Sequence, residues 1–453
     1  MMLLNRLNFF QPPQFNVASS GILGTTQKVA IDRTWPLEEI VIIVNATVNG
    51  TGLSRLGGAA GPQTTVQTDG LFSLVKRVNL SVNDPIAGKP RTVVDFTGRG
   101  LVEYAALTGL NIDSATLDAL RDQNVLDAQT TTAVVTPTAK VYRIAYRIPL
   151  VHPLIADPLR TRMLLPVHLY QQDPILTVDF GSNATGTEIA AGAATLFTNV
   201  TAELVLIRRN ITASLDAQIQ KAGGYIESDL LETPFAIGTG ISGEQRIPLN
   251  LPGYYLNVLM RQYYGGNATL GTFMQRQVLD QSGTGTTLAG ASTGGNGSES
   301  RWRLETGGQV IREWRWKHLK IINDWSRPLN GPASNFASLS TVFPFVSSGQ
   351  GAYAGIPAAG VGTVVLPSAD PGGMMQVNTS FNPACSAILD FLTDGLDSAN
   401  ELGSVLDCYS PASRGLKMEV IGPVQSATTN ASTIYVGGHR VTTPDISQWQ
   451  VVR

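Results

Sequence analysis

Cysteine, histidine and charge are all scarce in this chain. Its two cysteines, Cys385 and Cys408, stand far apart with no CxxC pair and no neighbouring histidines, so neither a disulfide framework nor a zinc site is suggested. Two buried thiols in a reducing compartment are the expectation. The four histidines, His152, His168, His318 and His439, show no HxH or HExxH spacing. No metal cluster or catalytic dyad can be assembled from them locally, and ordinary structural roles are expected.

Charged residues make up 15% of the chain, against a usual ~25%. The 32 Lys and Arg nearly cancel the 34 Asp and Glu, leaving net charge −2. No whole-molecule field draws nucleic-acid phosphates or an anionic membrane, which disfavours a dedicated nucleic-acid binder. A surface so poor in charge suggests coverage by partners. No apolar run approaches the ~18 to 20 residues of a membrane span. The opening MMLLNRLNFFQPPQFN has no long apolar signal-peptide segment, so the chain reads as soluble and not exported by that route. Ten Asn-X-Ser/Thr sequons, Asn45, Asn210 and Asn378 among them, reflect high Asn, Ser and Thr content and receive no role.

What is abundant is apolar residues, at 43%, and glycine, at 46 of 453 residues. The length suits one to three domains, with two as the central estimate. The recurring pattern is a short β-branched or aromatic run bounded by Gly, Pro, Asn or Asp, the signature of strands and turns. In the first half such runs are Ile40 to Val48, Leu71 to Val82, Val141 to Leu150, Ile175 to Phe180 and Ala202 to Ile211, with a helical stretch from about Ser114 to Val125. Loops and not regular crossover helices separate them, which argues for antiparallel sheets. Ala213 to Gly224 reads as a polar bridge between domains. Beyond it lie Arg246 to Tyr264 (strand, Pro-Gly turn, strand), Ala384 to Leu392, Val405 to Tyr409, Gly415 to Ile421 and Thr433 to Val436. Each half is long enough for a jelly roll with large loops. Gly50 to Gly70, Ser282 to Ser300 and Gly349 to Gly373 are Gly-rich and build no core.

Chemical motifs are few. Gly238, Gly240 and Gly243 match GxGxxG, but Pro248 and Pro252 follow where a phosphate-binding helix would begin, so a hairpin turn is expected. Gly290, Ser292 and Gly294 match the nucleophile elbow GxSxG inside a low-complexity loop with no strand before it. Asp390, Asp394 and Asp397 bracket Gly395 without the alternation of a calcium loop, and read as a strand end and turn. One segment is both basic and aromatic: Trp302, Trp314, Trp316 and Trp325 interleave with Arg303, Arg312, Arg315, Lys317 and Lys320. Such a segment offers stacking faces and cations to a single strand of nucleic acid. Ile311, Trp314, His318, Ile322 and Trp325 nevertheless recur at helical spacing, so a helix packed on a sheet or a neighbouring subunit is the favoured reading. No catalytic, cofactor-binding or metal-binding residue is assigned.

Several segments, taken in order, resemble the double jelly-roll major capsid proteins of tailless icosahedral viruses, the tectivirus-like and adenovirus-hexon lineage. Leu71 to Asp84 is similar to an early strand of that family's first barrel, Tyr142 to Leu150 with Pro153 to its strand, aromatic, Pro-Leu step, and Pro174 to Phe180 to its next strand. Glu203 to Leu215 resembles the last strand of the first barrel, and Cys385 to Asp394 and Arg414 to Ile421 the penultimate and closing strands of the second. Thr341 to Thr379 is longer and more Gly-rich than the family pattern.

The resemblance implies an all-β fold of two consecutive eight-stranded jelly rolls with long Gly-rich loops and a few short helices. It implies an N-terminal arm over 1–24, a first barrel over 25–216 and a second over 217–453. It also implies a non-enzymatic major capsid protein of a virion, such as a bacteriophage's, without cofactors and assembled in the host cytoplasm. Homotrimers would form pseudo-hexagonal capsomers that tile an icosahedral shell around the genome. Partners would be neighbouring capsomers and minor capsid proteins such as penton or cement proteins, with the arm docking under the barrels or on an internal membrane, and no sequence-specific nucleic acid. The alternatives are a carbohydrate-binding β-sandwich, as in a viral spike or lectin-like adhesin, and a β-sandwich glycosidase, which needs two facing carboxylates.

Overall fold

The computed structural model describes residues 6–265 except for parts of 12–20, 50–69, 84–89, 109–138, 156–158, 183–195, 222, 240–241 and 250, and then 274–276, 301–315, 386–391, 404–425, 432–442 and 450–452. The Gly-rich stretches 282–300 and 349–373, most of 50–70, Cys385, His318, Ser292, Asp394 and Asp397 lie outside the described residues.

Eight strands occupy the first half: β1 Arg6–Gln11, β2 Thr26–Ala30, β3 Leu37–Val48, β4 Val75–Asn83, β5 Pro90–Thr97, β6 Val141–Pro149, β7 Ile175–Phe180 and β8 Phe197–Arg209. Their sequences show why. β3 and β8 are runs of Ile, Val, Leu and Thr in which every second side chain is buried, the period of a sheet with one face on a core. They pair in the orders β1-β8-β3-β6 and β2-β7-β4-β5. Two four-stranded sheets in that interleaved order form a jelly roll. Ile40, Ile42, Val44, Val78, Leu80, Tyr146, Leu204 and Leu206 fill the space between them.

The second half comprises β9 Ser228–Ile237, β10 Ser242–Leu249, β11 Tyr254–Tyr255, β12 Asn257–Gly265, β13 Met274–Arg276, β14 Arg301–Thr306, β15 Gln309–Arg315, β16 Ser386–Asp390, β17 Ser404–Asp407, β18 Met418–Gln425, β19 Ser432–Val441 and β20 Gln450–Val452. Apart from the short β11, β13, β17 and β20, eight strands remain. They pair as β9-β19-β12-β16 and β10-β18-β14-β15. Renumbered one to eight, these orders are 1-8-3-6 and 2-7-4-5, the same as in the first half. The chain is a jelly roll repeated. The second core holds Trp302, Leu304, Val258, Met260, Phe391, Val420 and Ile434.

The two barrels share one continuous sheet. β5 of the first runs parallel to β9 of the second, with Val94 opposite Leu230 and Asp95 opposite Leu231. Pairing is otherwise antiparallel among the described strands, except for β17 with β20. Between β8 and β9 the expected polar bridge is an α-helix, Ala213–Lys221, whose Ile219 enters a third apolar cluster. Val151, Leu159, Ile211 and Ile226 join Leu256, Val405 and Val441 there, so residues from both halves pack into one cluster.

Other expectations change in the structure. Residues 6–11 of the expected arm form β1 and pair with β8 of the same chain, Arg6 opposite Arg209 through Gln11 opposite Leu204. The alternation that begins at Leu71 is strand only from Val75, because Gly70–Leu74 close a fully buried 3₁₀ turn. Helix is present at 115–116, 118–119 and 122–123, as expected. An unforeseen helix, α1, spans Gly98–Thr108. It starts at glycine because a Cβ on Gly98 would fall on the Val75 carbonyl. The GxGxxG stretch is no hairpin turn: β9 pairs with β19 and β10 with β18, so Gly238–Gly243 carries the chain from one sheet to the other. The run from Val405 ends as strand at Asp407, and Tyr409–Ser413 turn helically.

Candidate functional site: the contact faces

The basic aromatic segment is a hairpin and not a helix over its described part. β14 and β15 pair with Trp302 opposite Trp314, and a bulge shifts the register between Leu304 and Glu305. Trp302 is fully buried, and Gly422 on β18 makes room for it, since a Cβ there would strike the indole. The helical spacing of Ile311 and Trp314 misled because a bulged strand also places apolar residues off strict alternation. Arg303 is bound to Glu244 at 2.7 Å, and Arg312 lies 6.0 Å over the Phe391 ring. These cations are engaged within the barrel. Trp316, Lys317, Lys320 and Trp325 lie outside the described residues.

Among the described residues, no group of three or more His, Cys, Asp or Glu is placed to hold a metal, and no helix is long and apolar enough to cross a membrane. Cys408 is buried and free, its thiol pKa pushed up by burial. Asp390 ends β16. His168 lies 3.5 Å from Asp216 and edge-on to Tyr225.

What sequence spacing did not show is the polar joint between the barrels. Arg261 on β12, 1% exposed, meets Glu232 on β9 and Glu103 on α1, and its guanidinium bonds the Thr97 hydroxyl at 2.7 Å. The same guanidinium lies 4.8 Å over the Tyr435 ring. A buried charge is tolerated only when paired and hydrogen-bonded, and here the partners come from both barrels. Beside it His152, Tyr104, Asn257 and His439, also from both halves, form a second buried cluster. Gly438 admits this contact, since a Cβ would overlap the Asn257 carbonyl. On the first barrel's flank, Glu38 is 2% exposed and receives Arg160 and Arg209, each at 2.6 Å. Burial pushes its pKa up, but the two guanidiniums outweigh burial and hold it below the usual value.

The outer faces of the first barrel's two sheets differ. On the β2-β7-β4-β5 sheet the half-buried outward residues are polar: Arg77 with Asp95 at 2.5 Å, Asn79, Ser81, Thr177 and Asp179. On the β1-β8-β3-β6 sheet they include Val41, Ile43, Val205 and Ile207, with Val41 directly opposite Val205. Val41, Ile43, Val205 and Ile207 thus form an apolar stripe that is half-buried on the outside of this sheet.

No protein-family model matches the sequence, and no curated protein sequence does. Solved structures do. The crystal structure of the STIV major capsid protein is 13% identical, with a TM-score of 0.51 over 97% of this chain and 97% of that one. The PBCV-1 capsid protein VP54, fitted into a reconstruction of the Sputnik virophage, is 13% identical with a TM-score of 0.50, over 97% of this chain and 95% of that one. With the strand order repeated in both halves, the fold of this chain is the double jelly roll of viral major capsid proteins.

Proposed function

We propose that the chain is a viral major capsid protein whose copies associate through their barrel flanks into trimeric capsomers, which tile an icosahedral shell. The carrying observation is the doubled 1-8-3-6 and 2-7-4-5 strand order: each copy presents two equivalent barrels side by side, so a threefold ring presents six. The apolar stripe of Val41, Ile43, Val205 and Ile207 supports lateral contact between copies, because interface cores are depleted of charge. The role is structural and needs no active site. The division between barrels falls near 216, within the Ala213–Lys221 helix. Minor capsid proteins at the shell's vertices are the further partners such an assembly requires. Arg6–Gln11 pair with β8 of the same chain and so are not available as a loose arm to dock under a neighbour or on a membrane.

Electron microscopy of the purified chain tests this reading. Three-fold particles with a six-lobed outline, or closed shells, are expected. Single two-lobed particles at every concentration and ionic condition would overturn it.

A further inference from the structure

The two barrels repeat each other position by position. The Leu150 amide donates to the Glu38 carbonyl, and Glu39 then stands opposite Pro149. Likewise the Phe391 amide donates to the Leu256 carbonyl, and Asn257 stands opposite Asp390. Glu39 therefore corresponds to Asn257, Val41 to Leu259 and Ile43 to Arg261. Across the sheet Val41 lies opposite Val205 and Leu259 opposite Gly437, so Ile207 corresponds to His439. Those two lie opposite Asn8 and Leu230, which makes β1 the counterpart of β9. In the facing sheets Leu80 stands opposite Val94 and Leu304 opposite Arg312, and the register shifts at the next residue of each pair. β15 is thus the counterpart of β5, down to the same bulge.

Within the chain β5 and β9 meet in parallel, Val94 opposite Leu230 and Asp95 opposite Leu231. Their counterparts β15 and β1 are end strands of their sheets. Exposure records the difference. On the outer face of the second barrel Leu259, Arg261 and His439 are at most 1% exposed. Leu259 packs into the first barrel's apolar cluster, and Glu103 and Tyr104 of α1 reach Arg261 and His439. The corresponding Val41, Ile43 and Ile207 of the first barrel are only half-buried. On β5, Val94 and Phe96 are fully buried, whereas the corresponding Arg312 and Trp314 of β15 are half-buried. Both surfaces that meet inside the chain recur on its outside, and each recurrence is less covered than its counterpart.

We infer that β15 of one copy runs parallel to β1 of the next, with Arg312 opposite Asn8 and Glu313 opposite Phe9, repeating between chains the junction that β5 and β9 make within one. The occupant of each edge is a second copy, because the chain makes this contact once and carries the two halves of another. β1 uses one edge for β8, and its other edge faces the neighbour. An edge strand is a template for a further strand. Main-chain hydrogen bonds supply the attachment, so Arg312 and Glu313 can stand where β5 has Val94 and Asp95. The stripe of Val41, Ile43 and Ile207 then lies under the neighbour's second barrel, as Leu259 and His439 lie under the first.

The contact joins two different surfaces, and such a head-to-tail contact either closes into a ring or runs on as a filament. In a ring of three copies, six barrels are held by six like junctions, three within chains and three between them. This inference rests on the association proposed above and names the strands that carry it.

Disulfide trapping in the full chain tests it. Neighbouring strands bring cysteines within bridging distance, about 4.4 to 6.8 Å between Cα atoms. The double variant Asn8→Cys, Arg312→Cys should give a covalent trimer on mild oxidation, at least tenfold above the yield from either single variant. The single variants measure the background from Cys385 and Cys408. An equal mixture of the two single variants should give covalent dimers. Sedimentation equal to that of the unsubstituted chain, without cross-linking above this background, would overturn the junction and leave association through the flanks standing. A chain that stays monomeric with and without the substitutions overturns both. If only the substituted chain fails to associate, hydrogen exchange of the unsubstituted chain decides. Peptides covering 6–11 and 309–315 should both gain at least tenfold protection between dilute and assembled samples, and unchanged protection in either refutes the junction.

Discussion

Thr97, the last residue of β5, gives its backbone amide and its hydroxyl to the Glu232 carboxylate on β9, at 3.0 and 2.8 Å. One carboxylate thus ties the end of a first-barrel strand to the second barrel and also neutralises Arg261. Glu232→Ala removes the partner of a buried guanidinium, and the expected loss is about 3 to 5 kcal/mol of unfolding free energy. Urea denaturation checks it; a loss below about 1 kcal/mol would mean that the charge is relieved elsewhere.

Trp302 and Gly422 make a complementary pair in the second core. Trp302→Ala is expected to destabilise by about 3 to 5 kcal/mol through the cavity left behind. Gly422→Ala overpacks the same place, and about 1 to 3 kcal/mol is expected. Because both act on one contact, a double-mutant cycle should be non-additive, which thermal unfolding of the four proteins measures.

Glu38 makes stability depend on pH. Its folded pKa is depressed, so its stabilising contribution is full above its ordinary value of about 4.5 and is lost as pH falls through the folded value. Glu38→Gln should therefore flatten the stability profile below about pH 4.5 and leave its shape between pH 5 and 7 unchanged. An altered slope in the upper window would show that other groups were disturbed.

Replacing Val41 and Val205 together by Asp sets like charges opposite each other on the half-covered outer stripe. Circular dichroism should show a folded β protein, because the buried alternate residues Ile40, Ile42, Leu204 and Leu206 are untouched. Self-association should fall at least tenfold, as read by sedimentation. Association equal to that of the unsubstituted chain would remove this face from the interface.

Most of the strand pattern was legible because a jelly roll is built from half-buried strands whose period of two is written locally. Ile175 to Phe180 matched β7 to the residue, and the run from Ile40 fell within β3. Where position in the chain and pairing in space diverge, local reading failed. Phe9 and Phe10 read as part of an N-terminal arm because β8, which pairs with them, lies some 200 residues on. Gly238 to Gly243 looked like a hairpin because nothing local says that the flanking strands join different sheets. The α1 helix was hidden by Gly98 and Gly100, which tertiary crowding demands and helix propensity penalises. The buried cluster of His152, Tyr104, Asn257 and His439 was invisible for the same reason as β1. His152 and His439 are brought together only by the side-by-side docking of two barrels.

Association of copies of this chain through their barrel flanks is open to sedimentation velocity of the full chain at micromolar concentration. A stable species of three times the 48.2 kDa chain mass, or larger assemblies built from it, is the expected result. A single 48.2 kDa species at all concentrations and ionic strengths would contradict association through the flanks.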